Sequence, residues 1–212
     1  PVSAAEVVEY DSVYNTDFAW AGVGGLDGVG EGEIAVVGVT GTVTRALLFW
    51  QGNATSSDEN VNATVTIDGQ DVTGTMIGKS SSNCWNEPFS YGYRADVTGM
   101  VTGDGTYQLT NFQKIGGKAS GASIVIFFDN GDSTDDRDVV IYNGNDSDTT
   151  YAGPPADAEG WDVTLSGIEY VGGDASLDLI VADGQDGQDG PVYVNGTEIA
   201  SGEIFDGNSV PN

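Results

Sequence analysis

The 212-residue chain carries 33 acidic and 6 basic side chains, no histidine and a formal net charge of −27. That balance excludes a nucleic-acid-binding face, which needs Lys and Arg to neutralise phosphates, and it opposes docking on anionic lipid. Without His there is no Ser-His or Cys-His nucleophile pair and no His-type zinc site, so no enzyme is expected.

In chain order, residues 1–17 stand apart. Glu6-Val7-Val8-Glu9-Tyr10-Asp11-Ser12-Val13-Tyr14 is β-prone, and a Gly-rich stretch from Gly22 to Gly32 separates it from the first confident core strand. Two readings are open. It is an edge strand of the same domain, or a strand donated to a neighbouring subunit near residues 5–15. In the second reading Val7 and Val13 lie on one face and Val8, Tyr10 and Tyr14 on the other.

Strands are predicted at 33–39 and at Ala46-Leu47-Leu48-Phe49-Trp50, a run apolar enough to be covered on both faces. Strict alternation at Val61-Asn62-Ala63-Thr64-Val65-Thr66-Ile67-Asp68 gives a half-buried strand, and Asp68-Gly69 turns it into another at 71–77. Strands at 91–95 and 105–110 flank one helical turn, Asp96 to Val101, capped by Asp96. Ile124-Val125-Ile126-Phe127-Phe128 is a second central strand, followed by strands at 138–143, Trp161–Leu165 and 175–182. Asn195-Gly196 closes a hairpin between 191–194 and 197–200.

About a dozen short strands at this spacing predict one all-β domain over residues 18–212, an antiparallel jelly-roll-like β-sandwich. Leu47, Phe49, Val65, Ile67, Ile126, Val163 and Leu179 are expected inside it.

These motifs carry a resemblance. Ala46-Leu47-Leu48-Phe49-Trp50-x-Gly52 is followed by Gly74-Thr75-Met76-Ile77-Gly78, Cys84-Trp85, Tyr93-Arg94-Ala95-Asp96-Val97-Thr98 and Gly103-Asp104-Gly105-Thr106-Tyr107. Gly121-Ala122-Ser123-Ile124-Val125-Ile126, Asp136-Arg137-Asp138-Val139-Val140 and Gly144-Asn145-Asp146 complete the set. Over roughly residues 34–200 the chain resembles an uncharacterised domain that recurs in large secreted and surface-anchored proteins of bacteria and archaea. The resemblance implies an extracellular β-sandwich with a surface or adhesive role and supplies no active site.

Like charges this dense repel one another unless cations screen or bind them. The protein is therefore expected to work in salt, with bound metal, or with both. Ca²⁺ takes six to eight hard oxygens, and Asp-rich turns with Gly or Asn supply them on a bendable backbone. The candidate ligands are Asp129, Asp132, Asp135, Asp136 and Asp138 in one loop and Asp183, Asp186 and Asp189 in another. Arg137, between two of them, is expected in a structural ion pair.

Sequons at Asn53, Asn62, Asn145 and Asn195 are candidate glycosylation sites in an extracytoplasmic protein. The single Cys84 allows no internal disulfide and is expected to be a small buried hydrophobe. No apolar run reaches membrane-spanning length, and a start at Pro1 suits a processed, secreted chain.

The functional expectation is a structural subunit of an extracellular surface filament or pilus-like fibre, a homopolymer built by strand donation and steadied by cations. A Ca²⁺-dependent adhesive or carbohydrate-binding module is the alternative. A jelly-roll capsid or spike protein from a saline habitat is a third.

Overall fold

The computed structural model describes residues 7–80, 87–146, 161–182 and 189–205. All regular structure there is antiparallel strand. In order these are β1 (Val8–Val23), β2 (Gly32–Val36), β3 (Thr42–Ala54), β4 (Thr64–Ile67), β5 (Gln70–Thr73), β6 (Thr75–Ser80), β7 (Phe89–Asp96) and β8 (Gly105–Thr110). Two-residue strands β9 (Gln113–Lys114) and β10 (Gly117–Lys118) follow, then β11 (Gly121–Asp129), β12 (Arg137–Asn143), β13 (Asp189–Val194) and β14 (Thr197–Gly202). The expected β-sandwich is what forms.

The larger sheet runs β12-β1-β11-β3, continues through β7 to β6, and carries β10 and β9 on the far end of β3. The smaller sheet runs β2-β8-β4-β5. One apolar core lies between them. Leu48, Trp50, Tyr91, Tyr93, Ile124 and Ile126 come from the larger sheet, and Ile34, Val36, Val65, Ile67, Tyr107 and Leu109 from the smaller. Trp50 stacks on Tyr93 with ring centroids 5.6 Å apart and donates its indole N–H to the Asn62 carbonyl at 2.8 Å. The one polar atom of the ring is thereby satisfied without water.

The turn residues behave as their chemistry dictates. Asp68-Gly69 and Asn195-Gly196 all have positive φ, the geometry of the two-residue loops that match strand twist. Asp96 Oδ1 accepts from the Thr98 N–H and hydroxyl, and the Met100 and Val101 N–H groups close a single turn on the Val97 carbonyl. The predicted 71–77 strand divides at Gly74 into β5 and β6, which belong to different sheets. A Cβ at Gly74 would lie 2.4 Å from the Trp50 ring, so only glycine lets the chain cross there.

The N-terminal segment corrects one expectation. Residues Val8 to Thr16 pair with β12, and Asp17 to Val23 pair with β11, both within the same chain. The donated-strand reading of Val8, Tyr10, Val13 and Tyr14 therefore gives way to a strand paired in its own chain, with Val7 just ahead of it. Strand β1 also runs unbroken through position 17, where a boundary was expected. The physical reason is a partner the alternation alone does not name: β12 supplies a ladder of matching length.

The β1–β12 ribbon is fastened to the larger sheet on the side away from the core. Tyr10 lies under the Arg94 guanidinium, 3.2 Å from ring centroid to Cζ, with Arg45 at 5.4 Å. Arg45 donates to Asp11 and to the Tyr10 hydroxyl, and Arg94 donates to Asn143 Oδ1 at 2.5 Å. Two of the chain's few cations thus face one tyrosine.

Core placement follows the sequence reading for Leu47, Val65, Ile67 and Ile126, all buried. Phe49 is half-buried, and its strand neighbours Leu48 and Trp50 are the ones in the core cluster. Val163 and Leu179 are only partly buried and stand outside that cluster. Stretches 161–165 and 175–182 form no strand, although their alternation is strand-like.

Candidate functional site

Strand β1 changes partners at a bend. Asn15 has φ 51°, and the register with β12 shifts between Val13 and Thr16. The Asn15 N–H donates to Asp138 Oδ1 at 3.0 Å, and the Thr16 hydroxyl reaches the Asp17 and Phe128 carbonyls. Asp17 is the first residue past the bend, opposite Phe128 near the end of β11.

The loop from β11 to β12 returns over the same point. Its acids divide by role. Asp129 Oδ1 accepts the Gly131 N–H at 2.8 Å, and Asp132 Oδ1 accepts the Thr134 N–H and hydroxyl. Those bonds hold the Asp132 carboxyl below the usual carboxylate range. Asp138 is committed to the bend of β1. Arg137 forms no pair with its flanking acids; it donates to the Asp135 and Asp136 carbonyls. That corrects the expected ion pair: the guanidinium shapes the loop through its backbone.

Asp135 and Asp136 are left, and they converge on Asp17. One carboxylate oxygen from each lies within 4.8 Å of the others. Asp17 Oδ2 is closed to water and makes no hydrogen bond. The Asp136 carboxyl is pushed up by its desolvation and then by the charges of Asp17, Asp129, Asp135 and Asp132. Three convergent carboxylates suit a hard divalent cation, with carbonyls and waters completing its shell.

Of the metal-ligand expectations, the structure brings Asp135 and Asp136 together, while Asp129 and Asp132 bond the loop backbone and Asp138, in β12, bonds the Asn15 N–H. Asp183 and Asp186 lie outside the described residues, and Asp189 opens β13. Asp17 was missed because it is remote in sequence, sits in a strand and has no Asp-rich neighbourhood. Only the pairing of β1 with β11 delivers it.

The sequons separate by burial. Asn53 and Asn62 are 0% and 2% exposed, so neither can carry a glycan in this fold. Asn145 is half-buried and donates to the Ser90 hydroxyl at 3.1 Å. Asn195 is exposed at the tip of the β13–β14 turn. Peptide mapping after expression in an N-glycosylating host should find sugar at Asn195 and none at Asn53 or Asn62 of folded protein. Sugar at either buried site would contradict this placement.

No protein-family model matches the chain, and no curated protein or solved structure is found to match it.

Proposed function

We propose that this chain is a structural module of an extracellular surface assembly, with its sandwich steadied by divalent cations. The observation that supports this most is the convergence of Asp17, Asp135 and Asp136 at the bend where β1 passes from β12 to β11. A cation there links the start of one strand pairing to the loop that leads into the other. The rest of the acidic surface, in a chain of net charge −27, is a solvation layer suited to high salt.

Thermal unfolding tests the reading. Millimolar CaCl₂ should raise Tm by several degrees beyond NaCl of equal ionic strength, and Asp17→Asn with Asp136→Asn should abolish the excess. Equal response to the two salts would leave only screening and sink the specific site.

Within the triad, the resolved pH dependence is that of Asp136. Its folded pKa is raised, so its neutral form favours folding below the unfolded value of about 4. That contribution is lost as pH rises through the folded value. The calcium effect should therefore be largest at neutral pH and fade as protons take the carboxylates on acidification.

A further inference from the structure

Among the described residues of the C-terminal part, the strand-like stretch 175–182 makes no ladder and the one hairpin stands apart from both sheets. Hairpin β13–β14 belongs to neither sandwich sheet. A two-stranded hairpin alone is at best marginally stable in water; a third strand or an apolar cover is needed. Its apolar side chains are open to solvent: Tyr193 is 55% exposed, Val194 41% and Ile199 51%.

Upstream, Ala175, Leu177, Leu179 and Val181 recur at the period of a strand, yet residues 175–181 make no ladder. The preceding stretch exposes Ile168, Tyr170 and Val171, the last almost completely. It touches the sandwich through the Tyr142 hydroxyl, which donates to the Ser166 carbonyl, and through Glu9 beside Ser166 and Gly167.

We infer that residues 175–182 add as a strand to the β13–β14 hairpin of a second copy, with the exchange made reciprocally about a two-fold axis. The chain itself supplies the occupant. It holds both halves of a strand-addition contact, an open hairpin edge and an unladdered strand, and among the described residues neither is paired with the other. A second copy supplies each half to the other at once, which closes the assembly as a symmetric dimer.

The edge is also specified. Pro191 removes a donor from β13 and guards that side, whereas β14 reads Thr197-Glu198-Ile199-Ala200-Ser201-Gly202 with no Pro or Lys to block pairing. The β13–β14 register skips Ile199, which leaves this apolar side chain outside the hairpin's own pairing. Like-charged copies must approach, so association should strengthen as salt screens them.

This deepens the structural reading above by naming its partner, and its test reads association rather than cation response, so either can fail alone. Sedimentation velocity on the full chain in about 1 M NaCl, where the Debye length is about 3 Å, should show a monomer–dimer equilibrium. Leu177→Asp and Ile199→Asp should each weaken it at least tenfold. Neither residue is in the core, so both variants should keep the parent's unfolding midpoint.

In a Cys84→Ser background, chains bearing only Leu179→Cys, mixed with chains bearing only Ser201→Cys, should form a disulfide-linked heterodimer on mild oxidation. A strictly monomeric chain would overturn the inference. So would a dimer untouched by both substitutions, or one that yields no cross-link.

Discussion

Replacing Trp50 by alanine should lower the free energy of unfolding by about 3–5 kcal/mol, the range for loss of a large buried aromatic. The residue is 3% exposed between the two sheets. Its ring stacks on Tyr93 and fills the space that Gly74 leaves open, and its N–H is the partner of the Asn62 carbonyl. Truncation opens a cavity and removes the indole donor from that buried carbonyl. Trp50→Phe separates the two effects, because a ring remains while the donor goes; a loss of about 1–3 kcal/mol is expected. Urea unfolding followed by circular dichroism measures both. Since whole domains are stable by only about 5–15 kcal/mol, the alanine variant should sit near the edge of folding. An alanine variant within 1 kcal/mol of the parent would mean the two sheets do not meet at this ring.

The second large effect is local. Arg94→Met should release the β1–β12 ribbon at a cost of about 2 kcal/mol, combining a lost cation–π contact with a lost charge-assisted hydrogen bond. The contacts concerned are Arg94 over the Tyr10 ring and Arg94 to Asn143 Oδ1. Hydrogen exchange should quicken across residues 8–14 and 139–143 and stay slow in β3 and β11. Arg94→Lys keeps the charge but not the flat face or the fork, so it should recover only part of the loss. If exchange in the ribbon is unchanged in Arg94→Met, the ribbon is held by its ladder alone.

Acid should loosen the ribbon as well. The Arg45 guanidinium holds the Asp11 carboxyl below the usual range. A depressed folded pKa gives stability that is present above about pH 4 and is lost as pH falls through the folded value. Ribbon exchange should therefore rise at the acid end before the core opens.

Much of this architecture was legible before folding, for identifiable reasons. Period-2 alternation at Val65 and Ile67 and the continuous run at Leu47 and Leu48 report burial directly, because a strand alternates faces and a central strand has two covered ones. Asp68-Gly69 and Asn195-Gly196 are legible because few residues accept positive φ. The same alternation misled at Val163 and Leu179. It records what a segment can bury, and says nothing about whether a partner is present.

The acidic site was half legible. Asp135 and Asp136 stood out by density, but so did Asp129, Asp132 and Asp138, each of which accepts a backbone N–H through Oδ1. Spacing cannot separate a convergent carboxylate from a turn-former when both are Asp in one loop. Asn53 and Asn62 show the same limit, since a sequon is a three-residue pattern and burial is a property of the whole fold.

The sequence by itself determined an all-β chain, its turn positions, its excess negative charge and the lack of histidine chemistry, because each follows from composition or from contacts between near neighbours. The tertiary structure alone decided where the N-terminal segment pairs, that Asp17 meets Asp135 and Asp136, and that Arg45 and Arg94 converge on Tyr10. Those outcomes join residues up to more than a hundred positions apart. They are set by which sheet edges find each other as the core closes, a choice made by the summed burial of both sheets and by no single local pattern.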